Sequence, residues 1–256
     1  MKKHIHKLSV VENTRLTDTY FLLKLTHNQP LPDMLPAQFA EIKVDAAPHT
    51  FLRRPISVHD VDTEQNELHL LIEIKGEGTE TLSRLQPGDT LDTLYPLGNT
   101  WTVPDNSKNI LLVGGGCGVA PLLYTARKFG AQGLRVTTLI GGRSEENLLR
   151  KEAYKAYGDV YTITEDASHG ETGLVTGHSI MQNLQQFDSL YTCGPEAMMK
   201  AVGKAAQQAG VHCEVSLENT MACGIGACLV CVQETTEGHK CVCTDGPVFN
   251  INDLTW

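Results

Sequence analysis

Positive charge is in short supply in this sequence. Its 256 residues carry 21 Lys and Arg against 30 Asp and Glu, a formal net charge of −9. A nucleic acid or an anionic membrane needs a basic footprint that this balance opposes. Small molecules and proteins are therefore the expected partners, with no nucleic acid and no membrane. No run approaches the ~20 apolar residues that a bilayer span requires. The start, "MKKHIHKLSV", leads into no apolar core of a signal peptide, so a cytoplasmic location is expected. Eight cysteines are too few for a disulfide-stapled scaffold. In a reducing compartment such thiols are free for metal or redox work. Internal repeats and low-complexity tracts are absent from the sequence.

What is present falls into three parts. Residues 1–100 read as short runs punctuated by Pro, Gly and Asn, among them "YFLLKL", "FAEIKV", "ELHLLIEI" and "DTLDTLYPLG". This rhythm predicts an antiparallel β-barrel or sandwich. Residues 101–215 alternate strands such as "NILLVGGG", "RVTTLIGG", "VYTIT", "SLYTCG" and "HCEVSLE" with helical stretches, which predicts a doubly wound parallel α/β sheet. Helices are expected over "APLLYTARKFGAQG", over "SEENLLRKEAYKAYG" with Ser144 as N-cap, over "GHSIMQNLQQF" and over "PEAMMKAVGKAAQQAG". Residues 216–256 form a small cysteine-rich tail. The fold class expected is α+β and multidomain.

The stretch "GGGCGVAP" puts Gly114, Gly115, Gly116 and Gly118 at a strand-to-helix turn that ends on Pro121. Glycines there let backbone N–H groups approach a pyrophosphate at a helix N-terminus, so a dinucleotide is the natural ligand. The match to Gly-x-Gly-x-x-Gly is imperfect because Pro121 replaces the third glycine. A plain tight turn is the alternative for this loop taken alone. A second loop, Cys193-Gly194-Pro195 in "TCGPEAM", ends a later strand of the same sheet, where ligands of open α/β sheets bind. Cys193 either faces a nicotinamide ring or is a small buried hydrophobe.

In the β part, "LRRPISV" contains Arg54, Pro55, Ile56 and Ser57. The strand with Leu71, Ile72 and Glu73 runs on to Gly78 and Thr79, another phosphate-friendly geometry. Together with the α/β half, these segments resemble the ferredoxin-reductase family of flavoproteins over nearly the whole chain. That resemblance implies that Arg54 pairs with the FAD pyrophosphate and that Ser57 hydrogen-bonds near the isoalloxazine. It also implies that Leu71, Ile72 and Glu73 flank the flavin, that Gly78 and Thr79 close over the FAD phosphates, and that the two glycine loops hold NAD. Ile56 stands where many members carry an aromatic residue.

The tail reads Cys223-x4-Cys228-x2-Cys231, the opening spacing of a plant-type [2Fe–2S] cluster, which needs a fourth thiolate further on. Cys241 and Cys243 are the candidates, and strand alternation does not separate them. Zinc is a competing reading, although its second arm would be a cramped Cys-Val-Cys. "VSLENTMACGIGACLVC" followed by "CVCTDGPVF" is similar to the electron transfer subunits of type B dihydroorotate dehydrogenases. That similarity implies Cys243 as the fourth ligand and leaves Cys241 over, expected as an ordinary buried thiol.

The same similarity implies a partner, an FMN-containing subunit that oxidises dihydroorotate for pyrimidine synthesis, in a heterotetramer with two of each chain. Electrons would pass through the cluster and FAD to NAD+. Nothing in the chain looks like an FMN barrel, so dihydroorotate turnover needs that partner. Reductase subunits of ferredoxin:NADP oxidoreductases, sulfide dehydrogenases and some hydrogenases share much of the pattern. A non-enzymatic, zinc-stabilised nucleotide-binding module is the third reading. Glu165 and Asp166 after the third strand of the α/β part favour NAD over NADP by repelling a 2′-phosphate, whereas Arg143 argues the other way.

Overall fold

The computed structural model describes residues 2–256, and the chain packs as two units. The first comprises everything up to Thr100 together with Glu218–Gln233 and Lys240–Pro247. The second comprises Trp101–Leu217, Glu234–His239 and Val248–Trp256. The stretch 216–256, expected as a third domain, is thus divided between the two.

The first unit is built on β1 (His4–Arg15), β2 (Tyr20–Thr26), β3 (Phe39–Ile42), β4 (Arg54–Ser57), β5 (Asp60–Asp62), β6 (Glu67–Glu73) and, after helix α1 (Glu77–Leu82), β7 (Thr90–Leu97). These seven strands form one antiparallel sheet in the order β4-β3-β7-β1-β2-β6-β5, curled into a half-barrel with β4 and β5 as its edges. Alternation of apolar residues closes the sheet over a core in which Leu8, Phe21, Leu23, Leu25, Leu68 and Leu70 are fully buried. Each such side chain contributes roughly 1.5–3 kcal/mol of transfer free energy.

The second unit runs β8 (Asn109–Gly115), α2 (Leu122–Ala131), β9 (Arg135–Gly142), α3 (Lys151–Tyr154), β10 (Gly158–Thr164), β11 (Glu171–Thr172), β12 (Ser189–Cys193), α4 (Glu196–Ala209) and β13 (His212–Ser216). A hairpin of β14 (Val232–Thr235) and β15 (Gly238–Cys241) follows, and β16 (Val248–Asn250) comes last. The main sheet has the order β11-β10-β9-β8-β12-β13-β16, parallel throughout except for the antiparallel β16 at its edge. From β8 the chain builds outward through β9 and β10, then returns to the other side of β8 with β12. The switch point therefore lies between β8 and β12. Residues Ile110–Val113 are fully buried, as a strand covered on both faces requires.

Two expected helices are not continuous. Ser144 begins only a 3-10 turn, Glu145–Asn147, because the Asn147 side chain accepts from the Ser144 N–H at 3.2 Å and holds the chain in a local turn. The left-handed Arg150 (φ 59) then precedes the short α3. The stretch Ser179–Gln186 is 3-10 helix broken at Asn183 (φ −134), with Met181 and Leu184 turned inward. By contrast α2 begins directly after Pro121, and α4 ends on the left-handed Gly210 (φ 69), which relieves its terminal carbonyls. Among the described residues no helix is long and apolar enough to cross a membrane.

The C-terminal segment docks on α4 through Gly203, where an added Cβ would lie 2.6 Å from Ile251 Cγ1. Gly203→Val is therefore expected to force Ile251 away and to lower stability by about 1–3 kcal/mol, as overpacking does. Chemical denaturation of the variant against the wild type measures this.

Candidate cofactor sites

At the switch point the register places Gly114 of β8 beside Cys193 of β12. The two loops that leave these strands interlock through their glycines. A Cβ on Gly118 would overlap the Cys193 carbonyl and Gly194 Cα, and one on Gly194 would lie 3.0 Å from the Gly115 oxygen. Gly116 takes the left-handed φ of 55° that starts the turn Gly116–Val119. Pro195 caps α4. All the glycines singled out in the two loops thus come together at the carboxyl ends of the strands. This leaves a backbone-lined cradle suited to a dinucleotide.

Cys193 is 1% exposed, inside the sheet, while Cys117 is the half-buried sulfur at this end. The buried Thr192 hydroxyl, next to Cys193, has no protein partner. Arg143 and Asp166 also meet here, since the Asp166 N–H donates to the Arg143 carbonyl at 3.1 Å. Ser168 donates to the Asp166 carboxylate through both Oγ (2.6 Å) and N–H (3.0 Å), which holds that carboxyl below its ordinary range.

Replacing Gly118 by Ala is expected to spread the two loops and weaken NADH binding at least tenfold, a cost of about 1.4 kcal/mol. Titration of NADH against the flavin- and iron-loaded variant checks it.

In the first unit, Arg54–Ser57 occupy an edge strand, half-buried at every position. The adjacent arginines have different fates. Arg53 is tied down, its guanidinium donating to the Asp92 carbonyl (2.9 Å) and carboxylate (2.8 Å). Arg54 has a buried Nε with no protein partner. Its Cδ would lie 3.3 Å from a Cβ on Gly78, so Arg54 and the start of α1 are brought together. Thr79 Oγ1 accepts from the Lys75 N–H (2.9 Å) and the Gly76 N–H (3.3 Å) and so fixes this turn. Leu71 and Ile72 lie in the core, and Glu73 pairs with Lys75 at 2.9 Å. An unpaired guanidinium nitrogen beside a glycine turn fits a phosphate-bearing cofactor.

Backbone N–H···S contacts join the loop that carries Cys223 and Cys228 to Cys243, and Cys243 to Cys231. A [2Fe–2S] cluster takes four such thiolates divided between its two irons. Backbone N–H groups donate to the sulfurs, Ile225 to Cys223 (3.5 Å), Gly226 to Cys243 (3.3 Å) and Cys243 to Cys231 (3.4 Å). Gly224 (φ 65) and Gly226 (φ 78) take the left-handed conformations that turn these N–H groups inward. The Ile225 N–H, with other backbone donors, holds the Cys223 thiol down at about 6, whereas burial pushes Cys243 up to about 12. Cys241, expected to be an ordinary buried thiol, is instead only half-buried.

One residue of this region is not evident from the sequence. Glu41 of β3 is fully buried, and neither carboxyl oxygen has a hydrogen-bond partner. A Cβ on Gly224 would lie 2.9 Å from its Cδ, so the carboxyl underlies the cysteine loop. Burial, and after it the nearby Cys223, pushes the Glu41 carboxyl above its ordinary range against the pull of Arg53 and Arg54. Above pH ~4.5 the native state then retains a proton that the unfolded chain releases, so stability falls as pH rises through the window up to the raised value. Glu41→Gln has no such proton. Its thermal midpoint relative to wild type is expected to rise with pH across that window, which a pH series of thermal unfolding measures.

Comparison with known proteins matches both halves of this description. Residues 218–255 match the family model of the iron-sulfur cluster binding domain of dihydroorotate dehydrogenase B, and residues 112–204 match the oxidoreductase NAD-binding domain. The chain is 35% identical over 260 residues to the dihydroorotate dehydrogenase B (NAD(+)) electron transfer subunit of Shouchella clausii (strain KSM-K16), covering 99% of each. It is 38% identical over 247 residues to the same subunit of Caldanaerobacter subterraneus subsp. tengcongensis, covering 95% of each.

Among solved structures, an NADH-dependent reduced ferredoxin-NADP oxidoreductase is similar with a TM-score of 0.87 and 29% identity, over 97% of this chain and 90% of that one. Phthalate dioxygenase reductase, at 17% identity and a TM-score of 0.66, shares the fold over 91% of this chain and 87% of its own.

Proposed function

Because the chain belongs to the family of dihydroorotate dehydrogenase B electron transfer subunits, we propose that it carries electrons from a dihydroorotate-oxidising partner to NAD+ in pyrimidine synthesis. The observation that carries this reading is the set of cysteines braced by backbone N–H donors, in the segment matched to that family's cluster-binding domain, in one chain with a dinucleotide cradle. A flavin exchanges electrons singly or in pairs, which is the chemistry needed between a one-electron cluster and a hydride-carrying nicotinamide.

The residues present fit each group. Cys223, Cys228, Cys231 and Cys243 hold the cluster, their sulfurs braced by backbone N–H donors. Arg54, whose Nε has no protein partner, would hold the FAD pyrophosphate, with Gly78 and Thr79 closing the turn beside it. Pro55, Ile56, Ser57 and Glu73 form the flavin wall, with Leu71 and Ile72 buried in the core behind it. Gly114, Gly115, Gly116, Gly118, Pro121, Gly194 and Pro195 line the NAD site, with the buried Cys193 packed in the sheet behind them. Asp166, kept ionised by Ser168, disfavours a 2′-phosphate there. The partner is an FMN-bearing catalytic subunit, the complex holds two of each chain, and it works in the cytoplasm.

The similarity to the ferredoxin-NADP oxidoreductase favours a second reading, a reductase subunit that serves ferredoxin. One experiment separates the two. The flavin- and iron-loaded chain is mixed with an FMN-dependent dihydroorotate-oxidising subunit, and NAD+ reduction driven by dihydroorotate is followed. NADH formation that requires both chains is the expected result. Its absence, with rapid cluster-dependent reduction of ferredoxin by NADH, would overturn the first reading in favour of the second.

A further inference from the structure

Phe51 is 89% exposed, the most exposed large apolar side chain among the described residues. A single apolar residue in water is ordinary. What sets Phe51 apart is that the chain pins it beside the turn assigned above to phosphate. The Thr50 N–H donates to the Ala47 carbonyl (2.9 Å), and the His49 N–H (3.2 Å) and Thr50 hydroxyl (3.4 Å) both donate to Oε2 of Glu77, the first residue of α1. A Cβ on Gly78 would lie 3.0 Å from Thr50 Cγ2 and 3.3 Å from Arg54 Cδ. Thr50 and Arg54 therefore rest on the same glycine, and the residues between them form an arch anchored there at both ends.

Within the arch the side chains diverge. Arg53 reaches Asp92, while Phe51 and Leu52 face water. The place of Phe51 along the cofactor follows from chain direction. With Ser57 toward the isoalloxazine and Arg54 on the pyrophosphate, the line from Ser57 through Arg54 continues past the phosphates to the adenosine end. Phe51 lies on that side, three residues before Arg54 and at most ~11 Å of chain away. The strand β4 itself, Arg54–Ser57, offers no aromatic ring.

We propose that Phe51 is the stacking platform for the adenine of FAD, and so the residue by which this chain prefers FAD to FMN. Adenine has a π face, and stacking it on an aromatic ring removes apolar surface of both from water. A ring carried on a pinned arch gives up little freedom to do so. FMN ends at its phosphate and gains nothing from Phe51. This inference rests on Arg54 and Gly78 being the phosphate site of FAD.

The test is equilibrium titration of FAD and of FMN into the full chain stripped of flavin. Because Phe51 stands almost wholly in water, its replacement removes no core contact. Phe51→Ala is expected to weaken FAD at least about fivefold and to leave FMN unchanged. Phe51→Trp, which keeps a π face, should hold FAD as the wild type does. Wild-type FAD affinity in Phe51→Ala, or an equal loss of FAD and FMN, would overturn the adenine platform. Should FMN bind too weakly to titrate, FAD alone decides: loss with Ala and retention with Trp support the platform, and equal affinity of the two variants overturns it.

Arg54→Ala separates this outcome from the phosphate assignment. It is expected to weaken FAD and FMN alike, by about tenfold or more. Unchanged FAD affinity in Arg54→Ala would overturn the phosphate site itself, whereas a loss there with Phe51→Ala unchanged overturns only the adenine platform.

Discussion

Sulfur anions crowded into one loop repel each other, and a protein holds them together only by surrounding them with backbone N–H groups at close range. Much of the first unit is arranged around that constraint. Gly224 and Gly226 turn left-handed so that the N–H groups of Ile225 and Gly226 face sulfur. The segment carrying Cys241 and Cys243 is anchored to the half-barrel just past β7. There Asn99 donates its N–H to the Gly246 carbonyl (2.7 Å) and its side-chain amide to the Asp245 carbonyl (2.8 Å). The sheet supplies the floor through Glu41, whose carboxyl lies against Gly224. A buried carboxyl without a partner is costly, and here it lies where position 224 leaves no room for a side chain.

The nucleotide half follows from a different constraint, the order of strands. Building outward from β8 and then returning to its other side leaves two strand ends side by side with nothing between their loops. Gly114 and Cys193 are paired there, and only glycines at 115, 118 and 194 let the two loops mesh so closely. The same economy of backbone contact recurs where Arg54 packs its stem against Gly78. In both places the side chain omitted by glycine makes room for a close approach.

The neighbouring arginines show how much depends on partners distant in sequence. "LRRP" presents two guanidinium groups of equal promise. Asp92 on β7, 39 residues away, claims Arg53 and leaves Arg54 with its donor free. No local pattern distinguishes them.

Much of the architecture was legible because it is written in local periodicity. The short runs up to residue 100, the strand–helix alternation after it, Pro121 before α2 and Gly210 after α4 all act over a few residues, and each stands where the pattern placed it. The cysteine spacing was equally plain, since the wrap of a loop around a cluster is itself a matter of spacing. Where the chain had competing local choices, the pattern was insufficient. Asn147, whose side chain accepts from the Ser144 N–H, and Asn183, outside the helical range, interrupt helices that apolar spacing predicted.

Glu41 was hidden for another reason. In "FAEIKV" an alternating acid reads as the solvent face of a strand, yet all four residues of β3 are buried because the cysteine loop covers that face. The sequence by itself determined which segments become strands, which turns carry glycine and which sulfurs are candidates, since those depend on neighbours in the chain. Only the tertiary structure decided which arginine stays free, which acid is buried and that Cys243 meets Cys231, since burial and pairing belong to residues that meet only after the chain has closed on itself.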